Sequence, residues 1–243
     1  MYSAPVRQII ESSLVDGPGN RCAIFLQGCN LNCTFCHNPE TIEPLKQGCE
    51  MEGVTWWSTE ELYEKIKKIR PFLSGVTTSG GECTIHYKFL IEFFKKIKPF
   101  DFSILVDTNG YIDLSKESMK ELVDLTDGFM LDIKALDDDR HIAITGKSNK
   151  TILKNMYYLA SIGKLEEIRT VLMGGEDNKK IVDTITKELK PYLKIKNIRY
   201  KLISYRPFGV RDEHLNIKSV SEKEKEELKN IALQNGFTDV VLI

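Results

Sequence analysis

Short, nearly unbroken apolar runs recur along the chain at Arg21–Gly28, Gly75–Ser79, Phe102–Asp107, Gly128–Ile133, Ile168–Leu172 and Tyr200–Ser204, with a further one at Val240–Ile243. Such runs suit parallel strands buried on both faces. Helical spacing separates them. Leu62, Ile66 and Ile69 form a stripe behind a Ser58/Glu61 capping box. Ile181, Ile185 and Leu189 form a second stripe. Leu228, Ile231 and Leu233 form a third, behind Ser221/Glu224 and ahead of a stop at Asn235-Gly236. Repeated β-then-α units predict an α/β fold with a parallel sheet. Spacing alone leaves open a partial barrel of about six units or a doubly wound sheet; in both, chemistry gathers where strands end.

The chain has 243 residues and shows no low-complexity linker and no internal repeat, so residues 1–243 are read as a single domain. Thirty-four basic against thirty-five acidic residues leave a net charge of −1, which weighs against a nucleic-acid clamp held by phosphate contacts. No apolar run approaches the ~18 residues of a membrane helix. The N-terminus reads as no signal peptide, so a cytoplasmic protein is expected. Six cysteines are present, and three fall within eight residues. In a reducing compartment, clustered thiols point to a metal or redox site.

Those three are Cys29, Cys33 and Cys36, spaced C-x3-C-x2-C directly after a predicted strand. Thiolates are soft ligands for iron–sulfur clusters and zinc. Three thiolates on a four-iron cluster leave one iron open to a substrate or cofactor. A Cys3His zinc site completed by His37, or three buried apolar thiols, are the other readings. Cys22 reads as buried within the first strand, Cys83 as a packed thiol or one facing the site, and Cys49 stands alone. Asp137-Asp138-Asp139 reads as a helix N-terminus, where negative charge is favourable.

The segment Val15-Asp16-Gly17-Pro18-Gly19-Asn20-Arg21, followed by Phe25, Gly28, the three cysteines and Asn38, resembles the activating enzymes for glycyl radical proteins within the radical S-adenosylmethionine superfamily. Later segments resemble that family in order. They are Gly80-Gly81-Glu82, Asp107-Thr108-Asn109-Gly110, Asp132 with Lys134, Arg169, and the Leu202–Gly209 stretch, where Arg206 stands in place of the family's histidine. His141, Thr145 and Gly146 also match a family stretch, without a chemical role.

The resemblance implies a partial (β/α)6 barrel with a radical SAM core. It implies one [4Fe-4S] cluster on Cys29, Cys33 and Cys36, since the cysteines for further clusters are lacking. S-adenosylmethionine is then expected against Phe35, Gly80, Gly81, Glu82, Asp132, Lys134, Arg169 and Arg206. Asp107, Thr108, Met130 and Asp132 resemble a monovalent-cation site. The turn Asp16, Gly17, Pro18 and Gly19 is expected to meet the partner's peptide.

The implied reaction is reductive cleavage of the cofactor, then removal of hydrogen from a backbone glycine of a glycyl radical enzyme. Flavodoxin or ferredoxin is the expected electron donor. A monomer is expected, with no nucleic-acid or membrane partner. The competing readings are a radical enzyme acting on a small molecule and a non-catalytic zinc or iron–sulfur protein.

Overall fold

The structure is a computed structural model that describes residues 2–243. The chain divides into two compact units. The first comprises Met1–Asn30, Glu40–Thr108 and Leu114–Phe129; the second comprises Leu31–Pro39, Asn109–Asp113 and Met130–Ile243.

In the first unit the strand order is β3 (Thr55–Ser58), β1 (Ser3–Ser13), β2 (Arg21–Leu26), β4 (Gly75–Gly80), β5 (Ser103–Thr108). β1 runs antiparallel to both β2 and β3. β2, β4 and β5 are parallel, with Arg21 opposite Gly75 and Gly75 opposite Ser103. The apolar runs predict β2, β4 and β5 within two residues at each end. They do not predict β1 or β3. β1, SAPVRQIIESS, mixes polar and apolar residues and has many partly exposed positions, so it lacks the continuous run of a doubly buried strand.

The period of two divides the parallel strands into faces. Cys22, Ile24, Leu26, Val76, Thr78, Ile104 and Val106 share one face and are buried. Arg21, Ala23, Phe25, Gly75, Thr77, Ser79, Ser103, Leu105 and Asp107 share the other. Three helices complete this unit: α1 (Thr59–Ile69), α2 (Tyr87–Ile97) and α3 (Lys120–Leu125). α2 buries Phe89, Leu90, Phe93, Phe94 and Ile97 and packs beside α1 and α3. Each such side chain contributes about 1.5–3 kcal/mol. The predicted capping box on α1 forms, with the Ser58 amide donating to Glu61 Oε2 at 2.8 Å and the Glu61 amide to Ser58 Oγ at 3.2 Å.

β6 (Gly128–Asp132) runs from the end of the first unit into the second. There β7 (Leu165–Leu172), β8 (Arg199–Ser204) and β9 (Val240–Leu242) are parallel, with Arg169 opposite Lys201. The helices are α4 (Asp138–Thr145), α5 (Lys150–Ser161), α6 (Asn178–Leu189) and α7 (Glu222–Gln234). Asp137 caps α4 as expected, accepting from the Arg140 amide at 2.8 Å. Ser221 accepts from the Glu224 amide at 3.2 Å, but the Glu224 carboxylate accepts from Asn178 Nδ2 at 3.0 Å. The predicted box there is half formed, because a buried amide of α6 takes the carboxylate. The expected α/β class with a parallel sheet holds.

Candidate active site

In the first unit the end of β2 is held by main-chain bonds. The Gly28 amide donates to Thr41 O at 2.8 Å and the Cys29 amide to Ile42 O at 2.9 Å. Gln27 Nε2 adds two bonds of 2.8 Å, to Glu40 O and Glu43 O. The end of β4 closes against the same turn, since the Gly81 amide meets Leu26 O at 2.9 Å and the Glu82 amide meets Gly28 O at 2.8 Å. A Cβ on Gly80 would lie 2.2 Å from Leu26 N and O, and one on Gly81 would lie 2.3 Å from Gly28 O. The two glycines therefore permit backbone to approach backbone beside Cys29.

Glu82 is buried, and its Oε1 accepts from Thr84 N (3.0 Å), Thr84 Oγ1 (2.6 Å) and Thr108 Oγ1 (2.8 Å). It ties the end of β4 to the end of β5. Ser79 Oγ donates to Asp107 Oδ2 at 2.9 Å, on the face opposite the apolar one. The Cys83 thiol points to Thr78 O and Asp107 O. Burial foremost, then the Glu82 charge, pushes it well above an ordinary thiol, so it is a packed thiol.

The turn Asp16–Gly19 precedes β2, at the opposite end of that strand from Cys29. It folds along the face bearing Thr77 and Ser79. Thr77 Oγ1 donates to Asp16 O at 2.6 Å, and Gly17 lies against Arg21 and Leu105. The Asp16 carboxylate accepts from Ser13 Oγ. Pro18 and Gly19 are exposed.

In the second unit the segment bearing Cys33 and Cys36 hangs on the end of α4. The Asn32 amide donates to Thr145 O and the Thr34 amide to Ile144 O, both at 2.9 Å. These are helix C-terminal carbonyls without intrahelical partners. This is where the His141–Gly146 stretch acts: Thr145 Oγ1 donates to His141 O at 2.7 Å, and the His141 ring meets Lys147 O at 2.6 Å. Asn149 Nδ2 donates to Ala135 O and Leu136 O, just beyond Lys134.

Cys33 is nearly buried. Burial pushes its thiol up, against the pull of Lys134 and Arg211. Lys134 Nζ donates to Asp132 Oδ2 at 2.9 Å and lies 5.4 Å from the centre of the buried Phe35 ring. Burial pushes the Asp132 carboxyl up, but Lys134, Arg169 and Lys201 outweigh it and hold the group below the usual range.

Arg169 donates from Nη2 to Met130 Sδ at 3.1 Å and from Nε to the Glu167 carboxylate. Lys201 meets the same carboxylate at 3.1 Å. Glu167 is absent from the sequence reading. Its signal is an acid two residues before Arg169 on one strand face.

The Arg206 side chain is exposed, while its carbonyl lies 2.9 Å from His37 Nε2. The imidazole that a Cys3His site needs is engaged with main chain. Thr108 and Asp107 thus form their described bonds in the first unit, and Met130 and Asp132 in the second.

None of the six cysteines is in a disulfide. A thiol like Cys33 becomes a thiolate only where positive charge compensates its burial. A metal–sulfur cluster supplies that charge, and Lys134 and Arg211 assist, so this donor set fits one.

A profile described as the Radical SAM superfamily matches residues 23–187. A protein of Haemophilus influenzae named as a putative glycyl-radical enzyme activating enzyme is 32% identical, covering 98% of this chain and 96% of its own. The pyruvate formate-lyase-activating enzyme of Clostridium pasteurianum is 29% identical, over 95% of this chain and 96% of its own. Among solved structures, QueE from Escherichia coli superposes with a TM-score of 0.59 at 14% identity, covering 99% of this chain and 94% of that one. Streptococcus suis SuiB bound to S-adenosylmethionine gives 0.65 at 16% identity, over 89% and 48%. These two likenesses show the fold.

Proposed function

The chain belongs to the radical SAM superfamily, among the activating enzymes of glycyl radical enzymes, and on that premise we propose how its residues carry out the reaction. It activates a glycyl radical enzyme, using a [4Fe-4S] cluster and S-adenosylmethionine. The observation that carries the reading is the C-x3-C-x2-C segment, fastened by main-chain bonds at Cys29, Asn32 and Thr34, with none of its three cysteines in a disulfide.

Cys29, Cys33 and Cys36 hold the cluster. Bound beside these cysteines, the cluster and S-adenosylmethionine would supply one-electron reductive chemistry for removing hydrogen from the partner's glycine. Arg169, held by Glu167 and Met130, and Lys134, held by Asp132 and Phe35, are fixed cations for the cofactor's carboxylate. The Gly80–Gly81 main chain serves its amino group. Glu82 braces this turn and Thr108 beside the cofactor. Arg206 contributes its carbonyl to His37 and offers its exposed guanidinium to the cofactor.

Asp107, Thr108, Met130 and Asp132 would take a monovalent cation, which would share the Met130 sulfur with the Arg169 guanidinium. The Asp16–Gly19 turn meets the incoming glycine loop, because contact distance between radical and donor demands a built floor on that face.

The electron comes from flavodoxin or ferredoxin, and the chain works as a cytoplasmic monomer. Among the described residues, no helix is long and apolar enough to cross a membrane. The family match runs through segments of both units, which supports one domain over residues 1–243.

The test is anaerobic. The chain is reconstituted with iron and sulfide, reduced, and assayed for 5′-deoxyadenosine with S-adenosylmethionine and candidate glycyl radical enzymes. Cleavage lost in Cys33→Ala, with deuterium passing from a labelled partner glycine into the product, is the expected result. Deuterium that arrives only from a small molecule, or zinc in place of iron after anaerobic purification, would refute it.

A further inference from the structure

Arg211 lies seven residues beyond the end of β8. Its Nη2 donates to the carbonyl of Cys33 at 3.2 Å, across 178 residues of sequence. The Cys36 amide approaches the same carbonyl at 3.3 Å. The chain leading to Arg211 is clipped to the cysteine segment at two further points. His37 Nε2 lies 2.9 Å from Arg206 O. Gly209, at φ +78°, sits so close that a Cβ there would lie 2.4 Å from His37 O. Tyr205 starts this stretch with an amide bond to Leu172 O at 3.0 Å and is itself buried. The guanidinium is thus presented to Cys33 by a loop that touches the cysteine segment at His37 as well.

A guanidinium keeps its charge at every working pH. Lys134, a second cation beside Cys33, pairs with Asp132 at 2.9 Å. Reduction adds one negative charge to a cluster bound by Cys33. A fixed positive charge and a hydrogen bond on the ligand's main chain stabilise that reduced state more than the oxidised one, which raises the potential.

We infer that Arg211 is a positioning residue that locks the Cys33 main chain and sets the reduction potential of the cluster. The inference rests on Cys33 being a cluster ligand.

The experiment is a redox titration followed by electron paramagnetic resonance on anaerobically reconstituted full chain, with iron and sulfide content measured for each protein. Arg211→Gln keeps a donor without the charge, and its midpoint should move to a more negative potential. Arg211→Lys keeps the charge, and its midpoint should stay near the wild type. A midpoint unchanged in Arg211→Gln overturns the inference. So does an equal shift in both variants, and so does a wild-type midpoint in the loaded fraction of variants that lose iron. Should the wild type take up the cluster yet fail to cleave S-adenosylmethionine, the shift in Arg211→Gln still decides this inference separately from the activase reading. A chain that takes up no cluster refutes both.

Discussion

Arg21 heads the large, fully buried side chains among the described residues, and its burial can be converted into a measurable cost. Its guanidinium donates to side-chain and main-chain oxygens of four residues, Thr77, Pro18, Ser103 and Val76, among its contacts. Nε donates to Thr77 Oγ1 at 2.7 Å. Nη1 reaches Pro18 O at 3.2 Å and Ser103 Oγ at 2.8 Å, and Nη2 reaches Val76 O at 2.7 Å and Ser103 O at 2.9 Å. One side chain therefore joins the Asp16–Gly19 turn to the starts of β4 and β5.

In Arg21→Met the carbonyls of Val76 and Ser103 lose these donors, at about 1–3 kcal/mol for each acceptor left buried and unmet, while the carbonyl of exposed Pro18 turns to water. Relief from desolvating the charge offsets part of this, and the net loss should be about 3–5 kcal/mol. A urea slope of about 2–3 kcal/mol/M turns that into a midpoint lower by about 1–2 M. Both tryptophans, Trp56 and Trp57, lie in β3, so their fluorescence reports unfolding of the unit that contains Arg21. Arg21→Lys should fall between, because a point ammonium cannot reach acceptors on three segments. A midpoint for Arg21→Met within about 0.3 M of the wild type would show that the turn is not held this way.

Gly80→Ala should unfold the protein or cost more than about 3 kcal/mol, since the new Cβ would lie 2.2 Å from the Leu26 backbone at φ +121°. A urea midpoint equal to the wild type would contradict it. Asp132, held below the usual carboxyl range by Lys134, Arg169 and Lys201 despite its burial, contributes stability above the unfolded value of about 4. That contribution disappears as pH falls through the lower folded value, so Asp132→Asn should flatten the acid limb of stability below about pH 4. Parallel acid limbs for the two proteins would exclude it. In the metal-free native chain, iodoacetamide at neutral pH should label exposed Cys49 first. Cys22, pushed up to about 12 by burial, and Cys83 should label only on unfolding. Peptide mapping showing Cys83 modified before Cys49 would reverse that assignment.

Much of this protein is legible locally. Buried strands announce themselves as apolar runs, the α1 cap as Ser58 with Glu61, and the metal chemistry as three thiols at a rare spacing. Each signal lies within a dozen residues, where covalent geometry alone relates the atoms. What the sequence could not state is which distant groups those residues would meet. Glu82 matches a family position for the cofactor, but folding brings Thr108 to its carboxylate. Glu224 has the spacing for a capping box, and Asn178 on another helix takes its side chain. Gly80 and Gly81 are required by the main chain of β2 and its turn, which lies more than fifty residues away. Arg21 and Arg211 look like ordinary arginines until the fold surrounds one with carbonyls and sets the other against Cys33. Local patterning chose the elements, their order and the chemistry. Long-range hydrogen bonds, whose partners are neighbours only after the chain has packed, decided which residues hold the site and which brace it.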